Sequence, residues 1–145
     1  MRGQSQRTAA AVEQPAPAAP ATDGWLAPIL VKSALLTPKQ ASELVPTGAV
    51  WRGAVERSWA SDDRIVLAIA GACRLPVADL TKADPRIADL VPEKTARSYG
   101  VIPLSANDRV IKIATSDPNN FNAEQNLRFI AGRDVEFEIA APQAS

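Results

Sequence analysis

The 145-residue chain has no histidine and a single cysteine, Cys73. Without histidine it lacks the commonest general base and metal ligand, and every histidine-based catalytic triad is excluded. One cysteine excludes an intrachain disulfide and a cysteine-ligated metal cluster. Because Cys73 ends an apolar run that begins at Ile65, we expect its thiol to be buried as a small hydrophobic group.

The chain also lacks an excess of charge of either sign. Lys and Arg together number 16, as do Asp and Glu, and aromatic residues make up 5%. Nucleic-acid-binding proteins usually carry a basic patch or stacking aromatics, so we expect no nucleic-acid partner. The apolar run from Ile65 to Cys73 is far shorter than the ~20 residues that span a bilayer. The amino terminus does not have the pattern of a secretory signal. We therefore expect a cytoplasmic protein without direct membrane insertion.

Phosphate-binding and catalytic motifs are missing as well. Neither GxxxxGK[ST] nor GxGxxG occurs in the sequence. The acidic groups have structural explanations as helix caps, turns or the solvated face of a strand: Asp62 with Asp63, Asp108, Asp117–Asn120, and Glu136 with Glu138. We expect no catalytic residue, no metal site and no cofactor.

Composition divides the chain into four segments. Residues 1–24 are rich in Ala and Pro with few large apolar side chains, which predicts a disordered tail. Residues 25–80 have apolar residues at helical spacing and predict a helical subdomain. Residues 81–141 mix helical and alternating patterns and predict a small α/β subdomain, and residues 142–145 form a linker or tail.

Local signals place the elements within these segments. In the helical part, Thr37-Pro38 and Ser61 are typical helix starts, and they divide it into two related helix–turn–helix units. The second part predicts two helices and three strands: helices at 92–99 and 124–131, and strands at 101–105, 109–115 and 135–139. The predicted fold class is α+β, with helix–turn–helix units packed on a subdomain that contains a three-stranded, mostly antiparallel sheet.

Four short motifs follow one another from Leu75 onward. They are LPVADL (Leu75–Leu80), VIPL (Val101–Leu104), ATSDPN (Ala114–Asn119) and GRDVE (Gly132–Glu136). In this order and spacing they resemble the amino-terminal domain of the type II secretion and type IV pilus assembly ATPases. The resemblance covers about residues 25–140 and is strongest in the second half.

The same resemblance points to a degenerate nucleotide motif. Cyclic di-GMP-binding members of the family carry two copies of R-L-G-x-x-L-V-x-x-G, and the corresponding segments here are residues 25–34 and 49–58. Trp25 and Ala49 replace the two arginines, which removes the charge-assisted phosphate contacts. Larger residues replace the four glycines: Ala27, Ala34, Trp51 and Ser58. The candidate nucleotide-site positions are Trp25, Leu26, Ala27, Ala49, Val50, Trp51 and Arg52. Arg52 is the one arginine beside the second motif that could compensate, and one arginine is weak evidence for a nucleotide site. Cyclic di-GMP binding is therefore the less favoured alternative.

The favoured function that the resemblance implies is protein docking. Family members without the nucleotide motif are similar to secretion ATPases whose amino-terminal domain binds the cytoplasmic domain of an inner-membrane platform protein. Trp25, Trp51 and Trp59 are the candidate partner-binding residues, because tryptophan is a common interface anchor, with core packing as the alternative. Such a protein is cytoplasmic and held at the inner membrane by its partner. If the chain is a fragment, the core domain of the ATPase is a second partner.

Overall fold

The computed structural model describes residues 22–142. Most of the predicted amino-terminal tail and the last three residues lie outside the described part. Within it, a helical half precedes an α+β half, which confirms the predicted fold class.

The helical half contains four short α-helices. Its elements are α1 (Leu26–Lys32), α2 (Pro38–Leu44), a 3₁₀ turn (Val45–Thr47), α3 (Val50–Glu56) and α4 (Asp62–Cys73). Thr37 and Gln40 form a reciprocal capping box at the start of α2, since each side chain accepts a backbone N–H of the other. Ser61 caps α4 by accepting the N–H of Arg64. Both predicted helix starts are therefore correct.

The helices bury a common core and approach closely at one glycine. Leu26, Ile65 and Ile69 are fully buried at its centre. Gly53 of α3 faces Leu44 of α2, and a Cβ atom at position 53 would lie 2.4 Å from Leu44 Cδ2. A larger residue there would displace the buried Leu44 side chain, which packs where α2 meets α3.

The two units repeat at the level of backbone hydrogen bonds. Ala34 and Ser58 both adopt the left-handed conformation, with φ of 65° and 59°. After the first helix, the amides of residues 35 and 36 both donate to the Leu30 carbonyl; after the third, those of 59 and 60 both donate to the Ala54 carbonyl. Ala34 and Ser58 are the last glycine positions of the two degenerate motifs, so the backbone keeps a turn that glycine favours.

The α+β half contains two further α-helices and three strands. Its elements are 3₁₀ turns (Leu80–Lys82 and Pro85–Leu90), α5 (Glu93–Tyr99), β1 (Ile102–Ala106), β2 (Val110–Thr115), α6 (Phe121–Ala131) and β3 (Asp134–Ile139). The hairpin turn is held by Asn107, whose Oδ1 accepts the amides of Arg109 and Val110. Its core centres on Ile111, Ile113 and Leu127.

The sheet is mixed, and the prediction of a mostly antiparallel sheet was wrong in this detail. Strand order is β1-β2-β3; β1 pairs with β2 antiparallel, whereas β2 pairs with β3 parallel. Helix α6 lies between β2 and β3 in the chain. It returns the chain to the end of the sheet at which β2 begins, as the connection between two parallel strands requires. The helix also begins at Phe121, three positions before the predicted start at Glu124, because Asn120 caps it on the amide of Ala123.

The two halves are joined by the segment that follows α4. Val77 forms an isolated parallel bridge with Ile139 of β3. The amide of Ala78 donates to the Ile139 carbonyl at 2.9 Å, and the Ile139 amide donates to the Pro76 carbonyl at 2.8 Å. Leu75 packs against the cores of both halves. These contacts fix the helical half against the edge of the sheet.

Replacing Ala34 or Ser58 by glycine is expected to stabilise the protein by about 0.5 to 1 kcal/mol each, because glycine takes the left-handed conformation without the steric penalty of a Cβ. Urea unfolding of Ala34→Gly and Ser58→Gly measures this. Ala72→Gly, in the exposed right-handed turn near the end of α4, is the matched control and should lose a similar amount. Destabilisation by all three substitutions would contradict the steric penalty expected for Ala34 and Ser58 in the left-handed conformation.

Candidate functional site

A cleft of about 500 Å³ separates the helical half from the α+β half. Of the predicted nucleotide-site positions, Trp25, Ala49, Trp51 and Arg52 line it. The remaining positions belong to the helical core: Leu26, Ala27 and Val50. The structure thus brings the beginnings of the two degenerate motifs together at one cleft.

Asp23 occupies the helix end at which an anion would be expected to bind. Its Oδ1 accepts the Val50 amide at 2.6 Å and its Oδ2 accepts the Trp51 amide at 2.9 Å. These amides belong to the first turn of α3, where free N–H groups attract negative charge. Because the carboxylate of the chain already satisfies both amides, a phosphate would have to displace it.

Neither of the two positions that correspond to the arginines of the nucleotide motif carries a charge. Trp25 is half-buried and precedes α1, and its indole Nε1 is buried without a hydrogen-bond partner among residues 22–142. Ala49 precedes α3, and its amide donates to the Thr47 hydroxyl at 3.1 Å. Neither side chain can form an ion pair with a phosphate.

The residue at the first glycine position of each motif is buried in the helical core. Ala27 is 4% exposed and Trp51 is 6% exposed. The Trp51 indole Nε1 donates to Asp62 Oδ1 at 2.7 Å, which ties the start of α3 to the start of α4. Trp51 is therefore a buried residue of the helical half, the alternative that the sequence left open.

The charges that line the cleft have a negative balance. Asp23 and Asp117 are the acidic lining residues and Arg52 is the basic one. Burial raises the pKa of the Asp117 carboxyl, a hydrogen bond from the Asn119 amide opposes the rise, and the charge of Asp23 adds to it. A dianionic ligand would meet two carboxylates and one guanidinium there, an arrangement that disfavours its binding.

Sequence reasoning missed both acidic residues of the cleft. Asp23 belongs to the predicted tail, and the pattern around Asp117 predicts a turn. Asp117 does lie in a turn, since its own amide donates to the Thr115 hydroxyl at 3.0 Å. The signal available for Asp23 was its position two residues before Trp25, where an acidic side chain can accept helix amides.

The remaining candidate residues lie away from the cleft. Trp59 is half-buried on the helical half, with the Arg57 guanidinium 5.2 Å from its ring centroid. Cys73 is half-buried, and burial raises the pKa of its thiol. No group of three or more possible metal ligands occurs among residues 22–142, and no helix in that range is long and apolar enough to cross a membrane.

Comparison with known proteins shows a family to which the second half of the chain is similar. Residues 73–144 match the MshEN domain. This segment is similar to an MshEN domain. It comprises the α+β half and the segment that joins it to α4. A search of curated proteins gives no significant match.

Solved structures extend the likeness over the helical half. The structure of MshE with cdg, an abbreviation of cyclic di-GMP, matches with a TM-score of 0.68 and 22% identity over 81% of this chain and 90% of that chain. The amino-terminal domain of XpsE matches with a TM-score of 0.59 and 14% identity over 90% and 91% of the two chains. At these identities the structural likeness shows the fold alone. With the MshEN match, it confirms the predicted resemblance to the amino-terminal domain of the type II secretion and type IV pilus assembly ATPases.

Replacing Asp23 by alanine is expected to lower the free energy of unfolding by about 1 to 2 kcal/mol, because two amides of α3 lose their acceptor. Chemical denaturation of Asp23→Ala measures the loss. Asp23→Asn, which keeps one carbonyl oxygen as an acceptor, is the matched control and should lose less. Equal stability of Asp23→Ala and the wild type would show that water replaces the carboxylate without cost.

Proposed function

We propose that this chain is the protein-docking module of a bacterial type II secretion or type IV pilus assembly ATPase, tethering the motor to the cytoplasmic domain of an inner-membrane platform protein. It acts in the cytoplasm and reaches the membrane through that partner. The module performs no chemistry of its own, and ATP hydrolysis belongs to the core domain of the motor. The MshEN match and the fold shared with the XpsE amino-terminal domain support this assignment.

The observation that carries the proposal is an apolar groove on the helical half, away from the cleft. The groove has a volume of about 720 Å³ and lies between α1 and α4. Leu67 of α4 lines it and is 62% exposed, beside the half-buried Ile29 of α1. The opposite face of α4 already fills the core with Ile65 and Ile69. Pro28 and Ala68 line the groove with Leu67 and Ile29, and a contiguous apolar patch of this kind is the surface that another protein covers.

Charge at the rim of the groove indicates what the partner carries. Lys32 at the end of α1 and Arg74 after α4 line the groove, and neither forms a salt bridge within the described residues. No acidic residue of the described part of the chain lines it. We therefore propose that the platform protein presents an apolar surface flanked by carboxylates, because complementary charge speeds and orients association.

Cyclic di-GMP binding is the second candidate, and one observation favours it. The cleft lies where the two degenerate motifs meet, and the fold is that of MshE with cdg. Against it stand the uncharged Trp25 and Ala49 and the carboxylate of Asp23 on the α3 amides. The docking proposal requires no ligand in this cleft.

Replacing Leu67 by aspartate is expected to weaken binding to the platform protein at least tenfold, about 1.4 kcal/mol, because it places a carboxylate in the apolar groove. Calorimetric titration of the full chain with the purified cytoplasmic domain from the same secretion system measures this. Reversing the rim charges in Lys32→Glu with Arg74→Glu should slow association, and added salt should then speed association because it screens the repulsion.

Phe129→Ala is the matched control, since Phe129 is an exposed apolar residue on the other half of the molecule. It should bind as the wild type does. The proposal fails if the wild-type chain does not bind the platform domain. The assigned surface is wrong if Leu67→Asp binds unchanged.

A further inference from the structure

A second groove, of about 400 Å³, lies between α5 and α6 on the α+β half. Tyr99, Phe129 and Ile130 form its apolar part. Phe129 is 87% exposed and Ile130 is 41% exposed. Since α6 already buries Ala123 and Leu127 in the core, packing within the described residues does not account for the exposed phenylalanine.

The groove combines aromatic rings with neutral hydrogen-bonding groups. Tyr99 accepts a hydrogen bond from the Asn126 amide, which holds the tyrosine ring at the edge of the groove. Ser98 and Asn126 provide further donors, and among residues 22–142 Lys94 is the one charged residue that lines it. Aromatic rings set beside donors are the arrangement that recognises a polyproline II peptide, since the rings pack against proline and the donors bind exposed carbonyls.

The chain itself contains a peptide of this chemistry. Residues 15–20 read PAPAAP and include the spacing P-x-x-P at Pro17 and Pro20. No charged residue occurs between Gln14 and Thr22, so the segment carries no charge into a groove that has few charged groups.

Thr22, the first residue that the structure describes, lies at the cleft next to this groove. Thr22 lines the cleft together with Ser98 and Tyr99, and these two residues also line the groove. Pro20 precedes Thr22 by two positions, which is at most about 7 Å of extended chain. A tether this short gives a high effective concentration, so a weak peptide–groove interaction suffices.

We propose that residues 15–20 of this chain bind in the groove between α5 and α6 as a polyproline II segment, with Pro17 and Pro20 against Tyr99 and Phe129. The segment covers the exposed aromatic surface within the same molecule. This contact lies apart from the groove between α1 and α4 and does not depend on the docking function proposed above.

Methyl NMR of the full chain tests the contact, with the Ile130 δ1 methyl as the reporter and the buried Ile69 δ1 methyl as the internal reference. The double variant Pro17→Gly with Pro20→Gly should move the Ile130 signal and leave the Ile69 signal in place. Adding a synthetic peptide of residues 12–22 to that variant should return the Ile130 signal saturably toward its wild-type position. In a chain that carries Phe129→Ala, the same proline substitutions should leave the Ile130 signal where that variant has it.

Ala9→Gly with Ala10→Gly is the matched control, because it changes the same tail outside the proline segment. An unchanged Ile130 signal in the proline variant, or an equal change in the alanine control, would overturn the proposal. A wild-type signal that depends on protein concentration would show that a second copy supplies the segment, which overturns binding within one chain. No partner protein is present in these measurements, so their failure is distinct from a failure of the docking proposal.

Discussion

The hydrogen bonds of Asp23 hold the candidate site in its present form. The Asp23 carbonyl accepts the Leu26 amide at 2.9 Å at the start of α1, and its carboxylate accepts the Val50 and Trp51 amides at the start of α3. One residue therefore joins the beginnings of the two helix–turn–helix units at the mouth of the cleft. The carboxylate occupies the amide groups that would otherwise attract an anion. The hydrogen bonds that join the two units therefore also disfavour a nucleotide at this helix end.

The helical half keeps the backbone of a repeated motif whose ligand-binding side chains are absent. Ala34 and Ser58 hold the left-handed turns at equivalent positions, although neither is glycine. Trp51 occupies a glycine position and is instead part of the core, bonded to Asp62. The motif thus keeps its backbone conformation without its ligand-binding side chains. The core accommodates the larger Trp51 side chain because its indole N–H finds a hydrogen-bond partner. A phosphate contact does not tolerate the loss of its arginine.

Local signals in the sequence were sufficient for most of the elements but not for the contacts between them. Thr37-Pro38 and Ser61 mark helix starts through bonds to residues three positions away, so they can be predicted from neighbours alone. Asp23 bonds to Val50 across 27 positions, and no local pattern reports such a distance. The parallel pairing of β2 with β3 likewise depends on how α6 crosses the sheet. Leu67 was part of an apolar helical run, and its exposure follows from which face of α4 the other helices cover.

We propose that the cleft does not bind a nucleotide, and calorimetric titration of the full chain with cyclic di-GMP tests this claim. The cleft has lost both arginine positions, and the Asp23 carboxylate lies on the amides that remain. We predict no saturable heat of binding at concentrations up to about 100 μM, which corresponds to a binding free energy weaker than roughly −5.5 kcal/mol. Saturable binding with a Kd of about 10 μM or tighter, near −7 kcal/mol, would contradict the claim.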